Sequence, residues 1–299
     1  MEEKLNQQDW LDLCSECRNG ELPLAFPRSS VQSFTRGEVL HRLQIPDTIP
    51  GSSSVCKELI VGGVIAVLCK YSSQYAIRIG VSSGIDAEDS QDEIQLLPLC
   101  VRLSDKTKLE SIPKRVSAAL TQAQQFGGLV SEAQSDIESD GSAVVDQPFR
   151  ILLVMENRDD AGGSIADLND THWEQLQSCD LIVRISTEDD FFNLHGDYDT
   201  DLLDPRTVEA FMGHVERAIA AITSTGDAAL AELSILSKPE RQRILNEWND
   251  TAMEFPPVDC LHSLFEAKAA THHDSTALLW QDEIITYGEL NAAANRLAH

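Results

Sequence analysis

Cys14-Ser15-Glu16-Cys17 carries two thiols at the two-residue spacing used by zinc knuckles and redox pairs. Zinc needs two further ligands at matching spacing, and the sequence has no second cysteine pair of this kind. A redox pair normally follows a strand at a helix N-terminus, which is not the context here, so the expectation is two thiols on a short helix. Asp197-Tyr198-Asp199-Thr200-Asp201 alternates carboxylates as the opening of a calcium loop does. Its sixth position is Leu202 instead of glycine and its twelfth is Val208 instead of glutamate, so a strand edge followed by a helix capped by Asp204 is expected. Gly162-Gly163 is followed by no lysine, and neither a G-x-x-x-x-G-K-S/T phosphate loop nor a G-x-S-x-G nucleophile elbow occurs. His195 and His214 are possible bases for an acyltransferase, but the sequence sets no orienting partner beside either.

The elements that would position these residues alternate between strand and helix. A short helix is expected around Trp10 to Cys17, then a segment punctuated by Pro23, Pro27, Pro46 and Pro50 that no continuous helix can span. Val39, His41, Leu43 and Ile45 alternate as a strand does. Leu59 to Tyr71 is apolar nearly all round, the pattern of a buried helix, and Tyr75 to Val81 has a period of two. Ile94 to Leu103 reads as a strand, and Thr107 to Phe126 as an amphipathic helix broken at Gly127-Gly128. Residues 131–147 carry acids and no base, which predicts a mobile surface loop. Strands are expected at Arg150 to Met155, Leu181 to Ser186 and Phe191 to Tyr198, and a helix from Pro205 to about Thr223 with proline in its first turn. The mixture predicts an α/β layer on a mixed sheet. Near the end, Ala277 to Trp280 and Ile284-Ile285 flank the polar reversal Gln281-Asp282-Glu283, and a helix runs on from Gly288. A hairpin with one helix is marginal alone. Leu278, Leu279, Trp280, Ile284, Ile285, Tyr287 and Leu297 must therefore dock on the preceding domain or on further sequence.

At 299 residues the chain can bury one sizeable core and part of another. Hydrophobic content of 42% with 6% aromatics argues against disorder throughout. A net charge of -26, from 49 acids against 23 bases, disfavours nucleic acid and anionic membrane as partners, since both are polyanions. The N-terminus Met1-Glu2-Glu3-Lys4-Leu5-Asn6 has no apolar leader core, and the apolar run Leu59 to Cys69 is too short to span a bilayer. Seven scattered cysteines fit free thiols in a reducing cytoplasm.

Three segments together resemble one family. Leu236-Ser237-Lys238-Pro239-Glu240-Arg241, running into Leu245-Asn246-Glu247-Trp248-Asn249-Asp250-Thr251, is followed by Leu261-His262-Ser263-Leu264-Phe265-Glu266 and by Ile285-Thr286-Tyr287-Gly288-Glu289-Leu290-Asn291. This order is similar to the condensation-to-adenylation junction of nonribosomal peptide synthetases, where a Leu-Thr-Tyr-x-Glu-Leu type segment opens the adenylation domain. Upstream, Gln8-Asp9-Trp10-Leu11, Leu22 to Arg28, Leu59 to Gly80 and Asp199 to Glu209 resemble the second lobe of a condensation domain.

The resemblance implies a truncated condensation-like lobe of the chloramphenicol-acetyltransferase-like α/β architecture over residues 1–225, a helical linker over 226–252 and a partial adenylation domain over 253–299. The parent would activate an amino acid with ATP and magnesium and load it on a phosphopantetheine carrier. Its implied partners are the rest of the adenylation domain, a carrier domain and a first condensation lobe. The family's His-His-x-x-x-Asp-Gly motif lies in that first lobe. Here the His272-His273 pair is followed by Ala277 and Leu278 where the motif has Asp and Gly. Second-lobe motifs depart too, with Gln95 to Cys100 in place of Gly-x-Phe-Val-Asn-Thr and Ala123 to Leu129 in place of His-Gln-Asp-x-Pro-Phe-Glu. The expectation is a segment with no catalytic, cofactor-binding or metal residues of its own, whose Leu236, Ile244, Leu245 and Trp248 anchor the adenylation core. An interaction domain recruiting an adenylation or accessory enzyme, and an independent acyltransferase, are the alternatives.

Overall fold

A mixed seven-stranded sheet organises the larger of the two units, Met1–Lys238 and Pro239–His299, into which the computed structural model divides. The structure describes residues 7–26, 28, 35–44, 53–82, 96–138, 149–155, 176, 179–188, 191–224, 227–254 and 260–298, with 7, 53–56, 127–138 and 187–188 described by backbone alone. The strands are β1 (Arg18–Asn19), β2 (Arg36–Gln44), β3 (Ala76–Ser82), β4 (Leu96–Arg102), β5 (Ile151–Met155), β6 (Leu181–Glu188) and β7 (Phe191–Asp199). Antiparallel β4 runs the length of β3 on one edge, while β1 and β5 share the other edge in parallel. The sheet continues through parallel β5–β6 and then antiparallel β6–β7 and β7–β2.

Helices α1 (Gln7–Glu16), α2 (Ser53–Ser72), α3 (Ile112–Glu138) and α4 (Pro205–Ser224) pack on this sheet and on one another. Period-two alternation in the strands sorts side chains between two cores. Ile151, Leu153, Leu181, Val183, Ile185, Phe192 and Leu194 enter the main core with α2, α3 and α4, whereas Leu152, Val154 and Ile182 join Phe149 on the opposite side. The parallel strand β5 is thus apolar at every position because both its faces are covered. All of Leu59 to Cys69 in α2 is buried, as its all-round hydrophobicity requires. A Cβ on Gly63 would lie 2.8 Å from Ile219 Cγ1, so the missing side chain is what lets α2 and α4 approach this closely.

Two expectations from the sequence are corrected. Helix α3 does not break at Gly127-Gly128 but runs through both to Glu138. Two interior glycines cost about 1 kcal/mol each, and the buried stripe Ile112, Val116, Ala119 and Ala123 has by then already nucleated the helix. Residues 131–138, expected as the start of a loop, are the last turns of that helix. The remainder of that expected loop, the Gly162-Gly163 segment and Ile45 lie outside the described residues.

Residues 227–238 are stitched to the larger unit. Leu230 donates its amide to Thr107 O at 2.8 Å, Leu109 donates to Ala228 O at 2.9 Å, and Lys70 Nζ donates to Ala231 O at 2.9 Å. Leu230 and Leu233 are buried there.

Helix α5 (Lys238–Gln242) starts at the last residue of the larger unit and continues in the smaller one as a π turn over Arg243–Glu247. The smaller unit contains α6 (Leu261–Thr271), the antiparallel hairpin β8 (Thr276–Trp280) and β9 (Glu283–Thr286), and α7 (Tyr287–Ala298). The reversal falls where the sequence places it, with Gln281 at φ 52°. Among the described residues no helix is long and apolar enough to cross a membrane.

Candidate functional site

The residues that carry the resemblance prove to be structural joints. Thr286 is the N-cap of α7: its Oγ1 accepts from the Glu289 amide at 3.3 Å, and the Glu289 carboxylate accepts from the Thr286 amide at 2.9 Å. This is a reciprocal capping box, which satisfies two otherwise orphaned donors. The hydrogen bond from the Thr286 backbone amide and then the one from its hydroxyl, 3.1 Å from Glu289 Oε2, hold the Glu289 carboxyl below the usual range. Tyr287 meets the Phe265 ring of α6 with centroids 6.0 Å apart. Gly288 lies against the His273 ring, which leaves no room for a Cβ, and its amide donates to His273 O at 2.9 Å. Each position of Thr286-Tyr287-Gly288-Glu289 thus fastens hairpin, helix and turn together.

The Leu245 to Thr251 stretch ends a helix in a similar way. Asn249 Nδ2 donates to the Ile244 carbonyl at 2.6 Å, and the Trp248 amide donates to Arg243 O at 2.9 Å. The four anchor candidates are all exposed: Leu236 37%, Ile244 36%, Leu245 50% and Trp248 68%. On the hairpin Leu279, Trp280 and Ile284 are exposed as well, as is Leu297 on α7.

The possible bases and ligands are engaged in packing and pairing. His214 is buried on α4, with Nδ1 2.6 Å from Tyr71 Oη and the two rings edge to face. His41 Nε2 lies 3.1 Å from Glu216. His195 sits mid-strand in β7 opposite Leu40 and Arg184. In the acidic run, Asp197 pairs with Arg184 Nε at 2.9 Å, Asp199 accepts from the Asp201 amide at 2.8 Å, and Asp204 caps α4 by accepting from the Arg206 amide at 2.8 Å. Among the described residues no cluster of three or more His, Cys, Asp or Glu is arranged to hold a metal.

Two assemblies were not legible in the sequence. Arg28 forks onto the buried Asp180 through Nη1 at 2.9 Å and Nη2 at 2.7 Å, which raises the guanidinium pKa further, chiefly through those hydrogen bonds. Cys14 and Cys17 meet Cys100 of β4 under Trp10, with the Cys14 and Cys100 sulfurs 3.2 Å apart. Neither partner lies near the other in sequence, so no local pattern announces them.

No family model matches the chain. Surfactin synthase subunit 2 of Bacillus subtilis is 28% identical to it over 316 residues, covering 99% of this chain and 9% of that protein. A four-domain nonribosomal peptide synthetase, solved bound to AMP and glycine, superposes with a TM-score of 0.69 at 14% identity, over 98% of this chain and 25% of that one. The chain corresponds to a segment of a nonribosomal peptide synthetase. The starter condensation domain of rhizomide synthetase superposes on it with a TM-score of 0.57 at 13% identity, over 77% of this chain and 54% of that one. The synthetase segment therefore has the chloramphenicol-acetyltransferase-like condensation fold, a mixed sheet with flanking helices.

Within the synthetase segment, His272 and His273 lie at the exposed end of α6 and in the turn before β8, with His273 Nδ1 2.9 Å from Asp274. The segment spans less than a tenth of the length of surfactin synthase subunit 2.

Proposed function

We propose that the segment is the joint between a condensation lobe and an adenylation domain, and that it acts structurally. Residues 1–225 would be the second condensation lobe, 226–252 the linker and 253–299 the opening of the adenylation fold. The carrying observation is the superposition of 98% of the chain on a quarter of a four-domain synthetase. Supporting it, every histidine described in the larger unit lies in a strand or helix, and His214 and His41 are already engaged by Tyr71 and Glu216. The parent would activate an amino acid with ATP and magnesium and load it on a phosphopantetheine carrier in the cytoplasm. Leu236, Ile244, Leu245 and Trp248 would dock the adenylation core, because each is a large apolar side chain left exposed.

ATP–pyrophosphate exchange by this chain, assayed across the amino acids, tests the reading. No exchange is expected, and exchange with any amino acid would overturn it. A second assay adds an adenylation core as a separate chain: the expected result is association weakened by Trp248→Ala, and association unaffected by changes at all four anchors would remove the docking role.

A further inference from the structure

A surface cavity of about 470 Å³ lies where α1, β4 and the first turns of α3 meet, all within the larger unit. Leu13 of α1, Val101 and Arg102 of β4, and Lys114, Arg115 and Ala118 of α3 line it. Helix α3 serves core and cavity with neighbouring faces. Ile112, Val116 and Ala123 are buried, whereas Lys114 and Arg115, followed at three- and four-residue spacing by Ala118 and Gln122, form one wall of the cavity.

The charge of this wall runs against that of the chain. Three of the ten residues that line the cavity are basic and none is acidic, although acids outnumber bases by 49 to 23 in the whole sequence. Arg102 is already matched by its ion pair with Glu16 of α1. Lys114 and Arg115 form no ion pair with a described residue, so two positive charges stand unmatched beside the apolar surface of Leu13, Val101 and Ala118. At physiological salt the field of distant acids is screened within about 8 Å, and a small ligand in the cavity responds to these two cations.

We propose that the cavity binds a small phosphate monoester whose organic part is apolar. Two unmatched cations call for a ligand with two negative charges; a phosphate monoester carries about −1.5 to −2 at neutral pH, whereas a carboxylate or a sulfate ester carries one. Its three free oxygens can accept from the Arg115 fork and the Lys114 ammonium together. The organic group then covers Leu13, Val101 and Ala118, which an inorganic anion would leave wet. The volume of about 470 Å³ falls within the range of roughly 300–1,000 Å³ usual for small-molecule sites.

The test titrates the whole chain with naphthyl phosphate by calorimetry at neutral pH. Saturable binding is expected, weakened about tenfold or more by Lys114→Gln and by Arg115→Gln, each of which removes a charge-assisted hydrogen bond. Both side chains are exposed, so neither change threatens folding, and circular dichroism checks this. Lys106→Gln, which removes an exposed cation outside the cavity, should leave the affinity unchanged. Naphthyl sulfate, of the same shape with one charge fewer, should bind on the order of tenfold more weakly. Naphthol and inorganic phosphate, each holding one half of the ligand, should both bind more weakly than the ester. Four results would overturn the proposal: no saturable binding of naphthyl phosphate, binding unaffected by Lys114→Gln and Arg115→Gln, equal affinity for the sulfate ester, or equal affinity for naphthol or inorganic phosphate.

Discussion

Thr286 and Glu289 close on each other across the first turn of α7, side chain to backbone in both directions. Replacing Thr286 by alanine removes one half of this box and should cost about 1 kcal/mol of helix stability. Faster amide exchange confined to the first turn of α7 would register it. An unchanged exchange pattern would mean that the cap contributes nothing.

The same pair sets a pH dependence. Glu289 is depressed below its ordinary value of 4.5, so its contribution is fully present above that value and is lost as pH falls through the lower folded one. A carbon-detected NMR titration of the Glu289 carboxyl should find the depressed midpoint in the wild type and a return toward the ordinary value in Thr286→Ala.

Gly63→Ala should destabilise the larger unit by about 1–3 kcal/mol, although alanine is the better helix former, because the new methyl meets Ile219 at 2.8 Å. Combining it with Ile219→Ala tests the mechanism. Urea unfolding of the double variant should show a loss smaller than the sum of the two single losses, and strict additivity would exclude the clash as the cause.

Arg28→Ala strips the bidentate partner from a carboxylate that is 4% exposed. The expected loss is on the order of 2 kcal/mol, moderated by Arg150, which lies 3.9 Å from Asp180. Because Asp180 is buried, the difference between wild type and variant should change little between low and high salt. A loss that vanished in salt would mark the pair as a surface interaction.

Trp248→Ala should change the unfolding midpoint of the chain alone by less than about 0.5 kcal/mol equivalent, since the indole is exposed. Against an added adenylation core the same change should weaken association by about 2 kcal/mol, the scale of a buried aromatic anchor. Calorimetry of both species separates the two effects.

What could be read in the chain and what could not divides along distance in sequence. The hairpin and α7 were legible because Thr286, Gly288 and Glu289 act within one turn of themselves and of the reversal at Gln281. Strands β3, β6 and β7 and helix α4 were legible because burial of one face imposes a period, whereas β5 and α2, covered on every side, were legible as continuous apolar runs. The end of α3 was misread because glycine propensity is a local cost of about 1 kcal/mol, and a helix already packed through Ile112, Val116 and Ala119 can carry it.

The sequence by itself determined most of the element order, the Asp204 cap and, through the junction segments, the family. Only the tertiary structure decided which distant side chains share a site. Cys14 and Cys100 stand 86 residues apart, and Arg28 and Asp180 stand 152 apart. Such pairs meet because β4 lies along β3 beside α1, and because β6 brings Asp180 to the sheet end that Arg28 crosses. Strand pairing is a non-local choice made by the whole core, so no window of neighbouring residues encodes it.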